Sequence, residues 1–200
     1  MKIIFATHNQ GKIAEMRKIL DDPEIDVLSA EEAGVLEDVV EDGETFVENA
    51  HNKASFVAAQ TGHFAVADDS GLCIKALGGL PGVFSARWAG EGASAEALVQ
   101  LTLEKLADVS SGQREAYFES AAVLCAPDGR HWAFSGIIEG KISKEPRGEP
   151  RLKLPYDVIF IPKGFSKTFA EMSNEEKNSL SHRGLAFRQL KECIKTISRV

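Results

Sequence analysis

Two adjacent carboxylates, Asp68 and Asp69, follow a short apolar segment at residues 63–66 and precede Gly71. We interpret the apolar segment as a buried strand that ends at Asp68, with Gly71 freeing the backbone to turn. Carboxylates at the end of a strand commonly meet a ligand, because strand ends present functional groups on a rigid scaffold. Acidic residues at a strand exit also form turns and cap helices. The pair alone is therefore compatible with either interpretation.

The first of two cation-bearing segments is Thr-His-Asn-Gln-Gly-Lys at 7–12, directly after a strand-like stretch at 2–6. Gly11 lets the backbone approach a ligand, and N–H groups at the start of the following helix can face an anion. Lys12 adds a mobile positive charge. The interval from glycine to lysine is too short for a P-loop. The segment therefore predicts either a different phosphate-binding loop or an ordinary helix start.

The second cation-bearing segment is Ser-His-Arg-Gly at 181–184, which opens an amphipathic helix. Lys177, His182 and Arg183 form its cationic group. A charged helix end without a ligand is the alternative. Because the two segments bracket the acidic pair along the chain, their combination favours a polyanionic ligand.

Composition restricts the classes of function. The chain has 200 residues, 44% of them hydrophobic, which suffices for one domain or for two lobes sharing a sheet. Its formal net charge of -7 argues against a protein that coats nucleic acid. No Lys or Arg occurs between Lys18 and Lys53. We interpret that segment as a solvated acidic rim, one member of which could bind a metal; its acidic residues include Glu31, Glu32, Glu37, Asp38, Glu41, Asp42, Glu44 and Glu48.

The cysteines favour a reducing compartment. Cys73, Cys125 and Cys193 lie far apart, and an odd number cannot be fully paired within the chain. The N-terminal residues show no apolar run long enough for a signal peptide or a membrane span. We therefore expect a cytoplasmic protein with no membrane association.

Periodicity predicts helices alternating with strands in the first third of the chain. A buried strand at 2–6 precedes a helix carrying apolar residues at helical spacing. A capping box at 45–48 starts a helix that ends near Gln60 and packs through one apolar face. The glycine- and proline-rich stretch at 78–83 predicts a loop close to the ligand site.

The rest of the chain mixes β and helical patterns. A helix is expected from Ser94 to Leu106, and strands at 115–125 and from His131 are joined by a Pro-Asp-Gly-Arg turn, a strong hairpin signal. A short strand at 158–161 should stop at Pro162, and a second capping box lies at 173–176. The fold class is therefore α/β with a central mixed β-sheet flanked by helices.

Six motifs in order resemble the inosine/xanthosine triphosphate pyrophosphatases over essentially the whole chain. Besides residues 7–12 and 181–184, they are Thr-Phe-Val-Glu-Asn-Ala at 45–50, Ala-Asp-Asp-Ser-Gly-Leu at 67–72, Leu-Gly-Gly-Leu-Pro-Gly at 77–82 and Ser-Ala-Arg-Trp at 85–88. The resemblance implies magnesium-dependent hydrolysis of inosine, deoxyinosine and xanthosine triphosphates to the monophosphate and pyrophosphate. It also implies one elongated domain of two lobes at 1–200, a nucleotide cleft between the lobes, and a homodimer.

The resemblance assigns roles by position. Asp69 matches the general base, and Glu41, Asp68 and Asp69 match positions near magnesium. Substrate contacts fall on Thr7, Asn9, Lys12, Lys53, Ser70, Tyr156, Asp157, Lys177, Ser181, His182 and Arg183. Magnesium prefers oxygen ligands and is often completed by substrate phosphates, so one or two carboxylates suffice on the protein.

One segment departs from the family pattern. Where members commonly show Gly-Phe-Gly-Tyr/Trp-Asp-Pro, this chain has Lys-Leu-Pro-Tyr-Asp-Val at 153–158. Leu154 replaces an aromatic residue and Pro155 replaces a glycine in a loop that, by the resemblance, cradles the base. Two alternatives therefore stay open: a related pyrophosphatase that prefers another base, such as a modified pyrimidine, and a nucleotide-binding protein with little turnover.

Overall fold

The computed structural model describes residues 1–37 and 39–197. Asp38, one of the acidic residues of the predicted rim, lies outside the described residues. The helices and strands, in chain order, are β1 Lys2–Phe5, α1 Gln10–Leu20, β2 Asp26–Ser29, α2 Phe46–Thr61, β3 Phe64–Ile74, α3 Ala95–Lys105, β4 Glu115–Cys125, β5 His131–Ile142, β6 Phe160–Pro162, α4 Asn174–Leu180 and α5 His182–Ile197.

The strands form one mixed sheet in the order β2-β1-β3-β4-β5-β6. β1 pairs in parallel with both β2 and β3, whereas β5 and β6 are antiparallel. β4 and β5 are joined by a tight turn in which the Ala126 N–H donates to the Arg130 carbonyl, a connection available only to antiparallel neighbours. The predicted fold class, an α/β protein with a mixed sheet, is confirmed.

The chain divides into two compact units. The first contains Met1–Asp69, Ser120–Gly136 and the described chain from Arg183 onward; the second contains Ser70–Glu119 and Ile137–His182. Neither unit is one continuous stretch of chain.

The first unit has helices on both faces of its strands, and the alternation of side chains along β1 explains why. Ile3 and Phe5 pack with α1 and α5 in one apolar cluster, while Ile4 packs with α2 in another. β3 follows the same rule, since Val66 belongs to the first cluster and Ala67 to the second. In the first half of β3, even-numbered residues thus face α1 and α5, and odd-numbered residues face α2.

The second unit has its own core around Phe118 of β4. Phe160 contacts this ring edge-on, with the ring centroids 4.7 Å apart, and Phe169 stacks on it at 6.1 Å. Leu98 and Val99 of α3 complete the cluster together with Leu72 and Ile74, among others. Apolar contacts of this kind stabilise the unit in proportion to the area removed from water.

The local helix signals are confirmed. Thr45 and Glu48 form a reciprocal capping box at the start of α2, and Ser173 and Glu176 form another before α4. Ser94 caps α3 by accepting a hydrogen bond from the Ala97 N–H. These motifs are predictable because each is satisfied within a few residues of chain.

The end predicted for the strand after α2 is wrong. β3 does not stop at Asp68 but continues through Gly71 to Ile74. Leu72 and Ile74 are fully buried, and the Leu72 N–H donates to the Ser85 hydroxyl, so apolar burial and hydrogen bonding extend the strand beyond the polar residues. The two carboxylates therefore lie within a strand, where neighbouring side chains point to opposite faces.

Two other differences concern short edge strands. β2, which contributes an edge of the sheet, lies in the segment interpreted only as an acidic rim. The strand expected from Val158 begins at Phe160, because residues Pro155–Val158 form a 3-10 helix with proline in its first turn. Proline is well placed there, since its missing N–H has no partner in a first turn. The predicted loop at 78–83 is interrupted by a second 3-10 helix, Gly82–Arg87.

Candidate active site

Asp68 is the centre of a buried charge cluster on the α1/α5 face of β3. Its Oδ2 atom lies 3.1 Å from Lys12 Nζ and 3.1 Å from Arg183 Nε. Burial alone would raise the pKa of the Asp68 carboxyl, but the charges of Lys12 and Arg183 outweigh it and hold the pKa well below its ordinary value. The other oxygen, Oδ1, is buried and has no hydrogen-bond partner among the described residues.

Lys12 reaches Asp68 because the preceding loop fixes the start of α1. Asn9 is the N-cap residue, and its Oδ1 accepts hydrogen bonds from the N–H groups of Gly11 at 3.0 Å and Lys12 at 3.3 Å. Thr7 Oγ1 in turn accepts a hydrogen bond from the Asn9 N–H at 3.2 Å. Thr7 and Asn9 thus shape the loop at the start of α1, and Lys12 carries its charge into the cluster.

Arg183 opens α5 and is held by two carboxylates. Besides Asp68, its Nη1 lies 2.6 Å from Oε2 of Glu15. Burial would lower the pKa of Arg183, but Asp68 and Glu15 raise it above its ordinary value. The sequence interpretation missed Glu15. A usable signal was its position one helical turn after Lys12, which places both side chains on one face of α1.

Asp69 lies on the α2 face of β3. Its Oδ2 atom accepts a hydrogen bond of 2.9 Å from Nδ2 of Asn49, which is itself fully buried. Burial raises the pKa of Asp69, and the nearby Glu41 carboxylate adds to that rise, while Lys53 opposes it. A carboxyl whose pKa is raised by its surroundings suits proton transfer better than an ordinary one.

Lys53 lies one turn after Asn49 on α2 and contacts both Glu41 and the backbone of β3. Its Nζ donates to Glu41 Oε1 at 2.6 Å and to the Asp68 backbone carbonyl at 3.0 Å. Burial would lower the pKa of Lys53, but the charges of Asp69 and Glu41 raise it. The ammonium group therefore marks a place where the protein attracts a cation.

The carboxylate oxygens of Glu41 and Asp69 fit a hard metal ion that also keeps ligands from outside the protein. Glu41 and Asp69 supply carboxylate oxygens near one ammonium group, and their mutual repulsion, which raises the pKa of Asp69, would be relieved by a divalent cation. Within residues 1–37 and 39–197, no three His, Cys, Asp or Glu side chains are grouped so as to hold a metal by themselves. Magnesium tolerates this, because water and substrate phosphates commonly complete its shell.

Asp157 and Lys177 form a buried ion pair in the second unit. Lys177 Nζ lies 2.7 Å from Asp157 Oδ2, and both side chains are almost fully buried. Arg151, which the sequence interpretation missed, also donates to this oxygen, over 3.4 Å. Lys177 lies over the Phe169 ring as well, with its Nζ 5.6 Å from the centroid. The pair is thus fixed by both charge and packing.

The remaining predicted site residues of the second unit differ in exposure. Tyr156 is buried and donates its hydroxyl hydrogen to the Ser85 carbonyl at 2.7 Å. His182 stacks on Phe118 with ring centroids 4.7 Å apart and an interplanar angle of 9°. Ser181 is the buried C-cap residue of α4, and Ser70 is half-buried on β3. Tyr156 therefore contributes to the core of the unit, and His182 presents an imidazole held flat against an aromatic ring.

The described residues contain no helix that combines the length and hydropathy needed to cross a bilayer. The three cysteines are free thiols, two of them buried.

Comparison with known proteins gives consistent matches over nearly the full chain. The family model described as the Ham1 family matches residues 3–193. A dITP/XTP pyrophosphatase of Streptomyces avermitilis is 46% identical over 191 residues, which cover 94% of each chain. A dITP/XTP pyrophosphatase of Bacillus subtilis is 43% identical over 191 residues, or 96% of each chain. A HAM1 protein structure from Coxiella burnetii superposes with a TM-score of 0.90 at 40% identity, covering 98% of this chain and 99% of the other.

Proposed function

The chain belongs to the Ham1 family, and we propose that it is a pyrophosphatase that hydrolyses non-standard purine nucleoside triphosphates, with deoxyinosine and xanthosine triphosphates among its substrates. The products are the nucleoside monophosphate and pyrophosphate. The observation that best supports this activity is the arrangement around β3, where Asp68 gathers two cations on one face and Asp69 is placed beside Asn49 on the other. Such a site combines groups for an anionic ligand with a carboxylate for proton transfer.

In this proposal Asp69 orients and deprotonates the attacking water. In the metal-free protein, burial raises the pKa of its carboxyl, which makes the group a better proton acceptor than an ordinary carboxylate. Its hydrogen bond to Asn49 limits rotation of the carboxylate. A correctly oriented base avoids part of the entropic cost of the reaction.

Lys12 and Arg183 carry the positive charge for the triphosphate. Both are held by Asp68, so they are prepositioned before substrate binds. A prepositioned cation costs little reorganisation when negative charge develops on the departing pyrophosphate. Asp68 thereby acts by holding cations, and Thr7 and Asn9 act by fixing the loop that carries Lys12.

We assign the magnesium ion to the carboxylates of Glu41, Asp68 and Asp69, as the family resemblance implies, and all three act electrostatically on the Lys53 ammonium group. Magnesium would supply additional charge neutralisation for the phosphates. Lys53, now paired with Glu41, would then turn to the substrate.

We assign recognition of the purine base of the nucleotide to residues of the second unit. Asp157 and Lys177 offer an acceptor and a donor in a fixed pair, and His182 offers a rigid imidazole. A 6-oxo group accepts hydrogen bonds that the amino group of adenine cannot, so a buried donor left unpaired penalises adenine nucleotides. Ser70, Tyr156 and Ser181 complete the set that the family resemblance assigns to the substrate.

The experiment measures pyrophosphate and inorganic phosphate release from inosine, deoxyinosine, xanthosine, guanosine, adenosine and modified pyrimidine nucleoside triphosphates, with and without magnesium. Calorimetric titration of the same nucleotides measures their binding. We expect pyrophosphate as the product, a preference for the first three substrates, and dependence on magnesium. Preference for a modified pyrimidine would establish the altered-base alternative. Tight nucleotide binding without turnover would establish the binding-protein alternative.

The proposal also includes the oligomeric state and the cellular compartment of the enzyme. We expect a homodimer, as the family resemblance implies, which light scattering coupled to size-exclusion chromatography measures directly. We also place the enzyme in the cytoplasm, because its three free thiols suit a reducing compartment and its substrates arise in the nucleotide pool.

A further inference from the structure

Asn49 is a fully buried polar residue of α2 that contacts Asp69. Its Nδ2 donates to Asp69 Oδ2 at 2.9 Å, and its Oδ1 accepts a hydrogen bond of 2.8 Å from the Gly43 N–H. Its own backbone N–H donates to the Thr45 carbonyl in the first turn of the helix. The amide nitrogen, the amide oxygen and the backbone N–H of Asn49 therefore all form hydrogen bonds.

The chemistry of the partners determines which way the Asn49 amide points. The Gly43 N–H is only a donor and must meet the amide oxygen, while an ionised Asp69 is only an acceptor and must meet the amide nitrogen. The reversed amide would place two donors together and two acceptors together. The observed orientation is thus the one that satisfies both contacts.

Gly43 is matched in size to this arrangement. A Cβ atom at position 43 would lie 2.8 Å from Asn49 Oδ1 and 2.9 Å from Glu48 Cβ. These separations are too short for a side chain, so any residue larger than glycine must displace the amide or the loop. The loop that carries Glu41 is in this way packed against the residue that contacts Asp69.

We propose that Asn49 is a positioning residue for hydrolysis, whose amide, braced by Gly43, fixes the orientation of the Asp69 carboxylate toward the attacking water. The inference rests on the proposed function, in which Asp69 is the base. Asn49 acts through Asp69 and needs no contact with substrate. Its removal should therefore slow turnover and leave substrate affinity nearly unchanged.

The alternative role for Asn49 is purely structural, as part of the start of α2. That start is already stabilised by the capping box, in which the Glu48 N–H donates to Thr45 Oγ1 at 3.1 Å. Thr45→Ala is consequently a matched control: it weakens the same helix end, by about 1 kcal/mol as is typical of a lost cap, without touching Asp69. We expect its kcat and KM on deoxyinosine triphosphate to stay within about twofold of wild type.

The experiment measures kcat, KM and thermal midpoint for wild type, Thr45→Ala, Asn49→Ala, Asp69→Asn and the double variant Asn49→Ala/Asp69→Asn. We expect Asn49→Ala to lower kcat about 10- to 100-fold, with KM within about twofold. In the Asp69→Asn background, the same change should alter the residual kcat by less than about twofold, because the group it positions is gone. Equal losses in both backgrounds would show a structural role and overturn the proposal.

Two further variants keep the test decisive. If Asn49→Ala does not fold, Asn49→Asp preserves side-chain size and the acceptor for Gly43 while removing the donor, and the same loss of kcat is expected. Gly43→Ala should displace the amide and lower kcat in the same direction. A folded Asn49 variant with wild-type kcat overturns the positioning role. Absence of pyrophosphate release by wild type, or full activity of Asp69→Asn, would instead overturn the proposed function.

Discussion

Asp68 and Asp69 are neighbours in the chain, yet their side chains lie on opposite faces of β3 and have different partners. Asp68 pairs with Lys12 and Arg183 from α1 and α5, whereas Asp69 accepts a hydrogen bond from Asn49 of α2. The strand alternation imposes this separation, since both residues lie within Phe64–Ile74. One carboxylate is thereby neutralised by cations while the other keeps a raised pKa.

Asp69→Asn should abolish the proton-accepting group while keeping its size and its hydrogen bond to Asn49. We expect kcat to fall by about 10²-fold or more. The thermal midpoint should stay within a few degrees of that of wild type. The measurement is steady-state pyrophosphate release together with a thermal unfolding scan. A variant with near-normal turnover would remove Asp69 from the mechanism.

Lys12→Ala should weaken binding of triphosphates much more than binding of monophosphates, because the outer phosphates carry the charge that Lys12 meets. Calorimetric titration of inosine triphosphate and inosine monophosphate into the Asp69→Asn background avoids hydrolysis during the measurement. Lys163→Ala, which removes an exposed lysine paired with Glu139, is the charge-matched control. Equal losses for the two ligands would place Lys12 away from the outer phosphates.

The capping boxes and the buried helix faces were predictable because each depends on a few consecutive residues. The partners of Asp68 were not, since Arg183 lies 115 positions away in the chain and meets the carboxylate only through the packing of α5. The same reason explains why β3 was predicted to end too early. An acidic pair is typical of a strand end, and the sequence does not show that distant residues such as Arg183 neutralise Asp68 within the strand. The resemblance singled out Lys12, Asp69 and Arg183. It included Asn49 in the motif at 45–50 without a role, and the contacts of Asn49, Glu15 and Arg151 emerged only from the geometry.

The low pKa of Asp68 predicts a specific acid sensitivity. A carboxyl whose pKa is lower in the folded than in the unfolded state binds a proton more tightly when unfolded, so its contribution to stability is present above the unfolded value and is lost as pH falls. In metal-free buffer, the free energy of unfolding of wild type should therefore decrease from about pH 5 downward. The Asp68→Asn variant, measured by urea unfolding, should start lower and show a shallower slope, by up to about one proton. Identical slopes would contradict the assignment.

Lys177→Met should be among the most destabilising single changes in the second unit. Among the described residues, it leaves the buried Asp157 carboxylate with the longer contact to Arg151, and breaking a buried ion pair on one side typically costs about 3–5 kcal/mol. The double change Asp157→Leu with Lys177→Met removes both charges and should recover part of that loss. Urea unfolding of the two variants measures the difference, and additive losses would show that the residues do not act as a pair.

The loop before Asp157 should limit recognition of the base. Leu154 is half-buried, its N–H donates to the Arg151 carbonyl, and Lys153 beside it has a φ of +57°, a conformation that glycine adopts more easily. Pro155 begins the 3-10 helix that carries Tyr156 and Asp157, and it has no N–H to offer. The loop therefore follows a path set by these residues, with a leucine where the family resemblance leads us to expect an aromatic ring.

An aromatic ring stacked on a base contributes about 1–3 kcal/mol in complexes with single-stranded nucleic acid, and leucine supplies only part of that contact. We therefore expect Leu154→Phe with Pro155→Gly to raise kcat/KM for inosine triphosphate about tenfold, equivalent to roughly 1.4 kcal/mol. Leu152→Phe, at a strongly exposed position of the same turn, is the control for an aromatic residue placed elsewhere. Kinetics on inosine, xanthosine, guanosine and adenosine triphosphates decide the matter, because no gain, or an equal gain on all four, would show that this loop does not govern purine selection.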